Sequence, residues 1–87
     1  MPELCRFYGI IVYMFAKDHS PPHFHAKYGE FRGIINIENG ELIEGELPNR
    51  ALRLIKEWIE LHKQELRRNW EESQKDNPKI EKIEPLK

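Results

Sequence analysis

The residues best equipped for chemistry stand in one short run, Asp18-His19-Ser20-Pro21-Pro22-His23-Phe24-His25. Three of the chain's four histidines fall inside it, joined by a stiff Pro-Pro step and preceded by a carboxylate. Imidazoles titrate near neutrality and also ligate metals, so the run admits three readings. As proton-transfer groups, His23 and His25 would act as general base and general acid on a phosphodiester. Lys27, Arg32 and Asn36 would then contact the substrate, and Asp18 and His19 would orient the loop. That chemistry needs no cofactor. As metal ligands, His19, His23 and His25 would hold zinc or nickel, with Asp18 as a fourth ligand or as an orienting group behind one. In the third reading Asp18 and His19 only pin a turn, and His23 and His25 are ordinary exposed strand residues.

The flanking elements must position these groups. Phe7 to Phe15 is aromatic and β-branched, which predicts one central strand leading into the run. Ser20 precedes a proline and is pushed toward extended backbone, so the loop has a rigid exit. From His23 to Tyr28 a period of two puts His23, His25 and Lys27 on one face and Phe24, Ala26 and Tyr28 on the other. Gly29-Glu30 predicts a tight reversal, and Phe31 to Glu38 a further strand that brings Arg32 and Asn36 to the histidine face. Asn39-Gly40 predicts a two-residue type I′ hairpin, after which Glu41 to Leu47 returns antiparallel.

A long helix should follow, capped by Asn49 and running to about Lys75. Ala51, Leu52, Ile55, Trp58, Ile59, His62, Leu66 and Trp70 form its apolar stripe and predict that it covers one sheet face. His62 reads as a core-edge residue satisfied by one partner. Arg67 with Glu71, Arg68 with Glu72 and Glu71 with Lys75 read as solvated surface pairs. Asp76-Asn77-Pro78 stops the helix, leaving residues 76–87 as an edge strand or a tail. The expected fold is therefore α+β, an antiparallel sheet of about four strands with one long helix on one face, in a single domain over residues 1–87. An RNA strand on the uncovered face would lie over Tyr8 or Tyr13.

Eighty-seven residues with 39% hydrophobic and 33% charged side chains fit one modest core. The net charge of −1 supplies no bulk positive field, so nucleic-acid contact would have to be local. A lone cysteine, Cys5, reads as a buried structural thiol in a reducing compartment, and no apolar run is long enough to span a membrane. The cytoplasm is the expected location.

The Asp18-His19-Ser20-Pro21-Pro22-His23-Phe24-His25-Ala26 signature, preceded by Arg6-Phe7-Tyr8-Gly9-Ile10, resembles a family of short bacterial proteins catalogued as domain of unknown function 4160. So does Gly45-Glu46-Leu47-Pro48-Asn49-Arg50-Ala51-Leu52 leading into Trp58. The resemblance covers Pro2 to Trp70. It implies the toxin component of a type II toxin-antitoxin module, with a small antitoxin-like protein as partner and RNA as target. No established catalytic residue comes with it, so the site rests on the residues themselves. The expected function is a toxin that binds or cleaves RNA through His23 and His25. The alternative is a non-enzymatic histidine cluster that binds metal or another protein.

Overall fold

The computed structural model describes residues 3–87. Five strands precede one helix: β1 (Glu3–Phe7), β2 (Ile10–Tyr13), β3 (His23–Tyr28), β4 (Phe31–Asn36), β5 (Leu42–Glu46) and α1 (Asn49–Ser73). The strands lie side by side in chain order, every neighbour antiparallel, so β3 is the central strand. The class is α+β as expected, with five strands where about four were predicted.

The additional strand comes from the segment Phe7 to Phe15, which is a hairpin and not one strand. Phe7 pairs with Ile10 across Tyr8-Gly9, whose φ angles are 48° and 84°. Positive φ at both central residues is what a type I′ turn demands, and Gly9 supplies one of them without strain. Apolar residues on both sides of the turn hide it in the sequence. At Asn39-Gly40 the opposite correction applies. Only Gly40 has positive φ, and the loop is wider, closed by the Asn36 amide donating to the Glu41 carbonyl at 2.9 Å. The Asn36 and Asn39 side chains accept from the amides two residues onward, at 2.8 and 2.9 Å, and that local bonding stabilises the longer loop. Gly29 takes positive φ between the paired Tyr28 and Phe31, the tight reversal predicted there.

Alternation sorts the sheet into two faces. Ile10, Val12, Phe24, Ala26 and Ile35 are fully buried against Ile55, Trp58 and Leu66 of α1. Trp58 anchors this layer, its ring 5.5 Å from Phe7 and 5.6 Å edge-on from Phe24. The helix differs from expectation at both ends. Pro48 is the N-cap residue, its carbonyl accepting from the Leu52 amide, and no side chain caps the helix; Asn49 is already helical. At the other end Gln74 closes the helix with its amide on Glu71 and Glu72. Within α1, His62 leaves helical geometry (φ −129°) and marks a kink; its Nδ1 lies 2.7 Å from Glu65.

Three helix cations reach across the fold instead of along the helix, whereas Lys75, just beyond α1, pairs with Glu72 and not with Glu71. Arg67 pairs with Glu38 of the β4–β5 loop, Lys63 donates to the Glu38 carbonyl, and Arg68 meets Glu81. Residues 78–87 form neither an edge strand nor a free tail. Asn69, fully buried, brackets Glu81, donating to its carbonyl and accepting from its amide, at 2.8 and 3.0 Å. Trp58 donates to the Glu84 carbonyl, and the Ile83 amide donates to Leu4 in β1. This extended segment closes the β1 side of the molecule with Ile83 in the core. Among the described residues no helix is long and apolar enough to cross a membrane.

Two measurements check this frame. Gly45 has φ +89°, and a Cβ built there would lie 2.3 Å from the Arg32 carbonyl oxygen, a backbone atom that cannot step aside. Gly45→Ala should therefore lower the unfolding free energy by at least about 2 kcal/mol in urea titration; an unchanged midpoint and slope would contradict the close β4–β5 approach. Burial, helped by the negative charge of Glu3, pushes the Cys5 thiol up from 9.0 to about 12. The unfolded thiol thus ionises first, so stability contributed by the neutral thiol is intact at neutral pH and falls as pH rises above 9. The stability difference between wild type and Cys5→Ala should be constant near neutrality and shift against wild type from pH 9 upward; a difference independent of pH would contradict the burial.

Candidate functional site

The register of β3 builds the site. Its partners are Tyr13 for His25 on β2, and Asn36, Ile34 and Arg32 for His23, His25 and Lys27 on β4. His23, His25, Lys27, Arg32 and Asn36 therefore do share the face opposite the helix layer, since Phe24 and Ala26 between them are fully buried. They are not equally open. The His23 side chain is only 8% exposed and that of His25 17%. Trp70 reaches the His23 ring at 5.0 Å, while His25 stacks on Tyr13 at 5.3 Å and meets the edge of Phe15 at 4.7 Å. Tyr13 is largely buried, with its ring stacked on His25, and Tyr8 lies in the β1–β2 turn.

The loop from Met14 to Pro22 returns over the start of β3 and delivers Asp18 between the two imidazoles. Asp18 Oδ2 lies 2.9 Å from His23 Nε2 and 3.0 Å from His25 Nε2. Four backbone groups fix this approach. The Lys17 amide donates to the Ser73 carbonyl at the end of α1, and the His19 amide donates to Asp18 Oδ1 at 2.9 Å. Pro21 offers its carbonyl to His23 Nδ1 at 2.8 Å, and the Pro22 carbonyl accepts from Ile37 beyond β4. Proline carbonyls carry two acceptor sites each, and here the Pro-Pro step spends one on the site and one on the sheet.

Asp18, His23 and His25 thus each present one ligand atom, and these atoms lie within 4.8 Å of one another. His19 does not join them. Its imidazole is exposed, and its contribution is the backbone amide behind Asp18. The carboxylate takes the place that the sequence reading gave to a third imidazole. Asn36 serves its own turn through Glu38, whereas Lys27 and Arg32 form no ion pair among the described residues. Trp70, Phe15 and the Pro21 carbonyl complete the surroundings. Trp70 was legible only as a core anchor, and the carbonyl has no side-chain signature at all.

Hydrogen-bond chemistry limits the states of the site. Burial opposes charge on Asp18, but contacts from His25 and His23, the His19 amide and the neighbouring His23 outweigh it and hold the carboxyl down at about 2. At neutral pH Asp18 is an anion. A carbonyl only accepts, so the Pro21 contact requires the proton of His23 to sit on Nδ1. Nε2 of the neutral ring then aims a lone pair at an anionic oxygen 2.9 Å away. Two arrangements relieve that repulsion: a second proton on the ring, or a cation placed among Nε2, Nε2 and Oδ2. Among the described residues the Nδ1 of His25 has no partner; no buried polar side-chain atom there is left unpaired, so this nitrogen reaches solvent. His25 also lines a cavity of about 240 Å³ on the open face, together with Tyr13, Arg32, Ile34 and Glu44. A cavity of about 530 Å³ lies between α1 and the Gly40 to Leu42 stretch, and neither His23 nor His25 lines it.

An antiparallel five-stranded meander crossed by one helix, with two histidines of the central strand converging on a loop carboxylate, defines a small α+β domain with a His-His-Asp site. The chain belongs to the family described as domain of unknown function DUF4160, whose model matches residues 9–71. That span holds the whole Asp18 to His25 run and reaches past Trp70 in α1. Comparison with curated proteins and with solved structures gives no match.

The proton placement is directly observable. Long-range ¹H–¹⁵N correlation spectra at neutral pH should show His23 protonated on Nδ1; a His23 ring protonated on Nε2 alone would contradict the Pro21 contact.

Proposed function

We propose that the domain binds one divalent transition-metal ion through Asp18, His23 and His25. The observation that carries this reading is the convergence of both Nε2 atoms on a single carboxylate oxygen, Asp18 Oδ2, at 2.9 and 3.0 Å. Two imidazoles and one carboxylate form a nitrogen and oxygen donor set suited to zinc, nickel, iron(II) or copper(II), and poorly suited to the hard all-oxygen preference of calcium or magnesium. The outer contacts follow the pattern of metal-bound histidines: the remote nitrogen of His23 is held by a carbonyl and the remote oxygen of Asp18 by an amide. Three protein ligands, with Asp18 still 23% exposed, leave a coordination position for water or substrate. A hydrolytic or Lewis-acid role is thereby allowed, with the metal supplying the activated water.

A second reading keeps the toxin-type action on RNA, and one observation favours it. His25 is oriented by Asp18 through Nε2 and presents an open Nδ1 on the face that carries Lys27 and Arg32. The arrangement is a single oriented imidazole with two cations, because His23 has both nitrogens engaged and offers no free group to a phosphodiester. A small antitoxin-like partner belongs to this second reading.

Equilibrium dialysis and calorimetry of chelator-treated protein against zinc and nickel separate the two. One equivalent should bind. At about 100 times the dissociation constant the metal should raise the unfolding free energy by roughly 2.7 kcal/mol. Asp18→Asn should weaken binding at least about tenfold and His23→Ala with His25→Ala should abolish it, with circular dichroism confirming the fold. Absence of stoichiometric binding would refute the metal reading, and RNA cleavage that survives chelator but is lost in His25→Ala would favour the second.

A further inference from the structure

We infer that the cavity on the open sheet face, beside His25, is a binding site for a free amino acid with an apolar side chain. Asp18 is not among the residues that line it, and the inference goes beyond the metal reading. Its volume of about 240 Å³ is roughly that of eight liquid waters, which suits a small molecule. That is small for a nucleotide or a drug-sized ligand, whose pockets start near about 300 Å³. The floor and walls are largely apolar, from the Tyr13 ring, Ile34 and the glycine backbone of β4 and β5.

Charge selects the ligand class. Arg32 and Glu44 both line the cavity, and neither makes an ion pair or a side-chain hydrogen bond among the described residues. Their placement in the sheet explains this. Glu44 stands opposite Ile34 and Arg32 opposite Glu46, so the two charges are offset by one row on the same face. A simple anion would meet the carboxylate of Glu44, and a simple cation would meet the guanidinium of Arg32. A zwitterion satisfies both: its carboxylate accepts from Arg32 in the two-pronged manner guanidinium favours, its ammonium donates to Glu44, and its side chain lies on Ile34 and Tyr13. Opposite charges on one small, apolar-floored cavity thus match the two heads and the body of an amino acid such as leucine.

Titration of ¹⁵N-labelled full-length protein with leucine, N-acetylleucine and leucinamide tests the site. Leucine should give saturable shifts confined to Tyr13, Arg32 to Ile34 and Glu44 to Gly45. N-acetylleucine, which lacks the ammonium, and leucinamide, which lacks the carboxylate, should each bind at least tenfold more weakly, about 1.4 kcal/mol. Arg32→Gln and Glu44→Gln change exposed side chains, leave the fold intact, and should each cost leucine a similar factor. Equal binding of either derivative, shifts that do not saturate, or shifts centred elsewhere would overturn the proposal.

Discussion

The fold is drawn together at the carboxylate of Asp18. One of its oxygens faces the imidazoles of two residues on the central strand, and the other holds the amide of the next loop residue. Without that anion, two histidines on adjacent same-face positions of β3 would bring two Nε2 atoms together with no common partner. With it, the loop from Met14 to Pro22 has one place to lie, and the aromatic rings of Phe15, Tyr13 and Trp70 close around the pair. The backbone contacts to Ser73 and Ile37 tie the same loop to the end of the helix and to the sheet. Burial opposes charge on Asp18, and the contacts from the two imidazoles and the His19 amide are what keep it ionised.

The rest of the molecule can be understood as the support that this convergence requires. β3 sits in the middle of five strands, paired on both sides, so the histidine positions cannot slip by one residue without turning Phe24 and Ala26 out of the core. Trp58 fills the layer beneath, and the extended C-terminal segment, fastened by Asn69 and Trp58, shields the flank that β1 would otherwise leave open. β5 remains the exposed edge, with Glu44 and Glu46 outward and a tight glycine contact to β4.

Much of this was legible in the residues. The α+β class, the long covering helix, the alternation of β3 and the face shared by His23, His25, Lys27 and Arg32 all follow from periodicity, which is set by local geometry. What periodicity cannot carry is where a loop folds back. That Asp18 and not His19 meets His23 and His25 depends on which of two adjacent side chains points inward, and the contacts that hold the loop there run to the Ser73 and Pro21 carbonyls, groups without a side-chain signal. The Tyr8-Gly9 turn was concealed for a different reason: a tyrosine in left-handed backbone is unfavourable in isolation and is held there by the pairing of Phe7 with Ile10. The broad Asn39-Gly40 loop shows the same limit, since it is closed by the Asn36 amide on Glu41 and by asparagine side chains on amides two residues onward, bonds that the dipeptide alone does not announce.

The most direct test of the central claim is the local structure around a bound ion. X-ray absorption at the zinc edge of the one-to-one complex should show an all nitrogen and oxygen shell at about 2.0 to 2.1 Å, with the outer scattering of two imidazoles. A sulfur shell near about 2.3 Å, or a shell without imidazole scattering, would place the ion elsewhere and contradict the convergence of Asp18, His23 and His25.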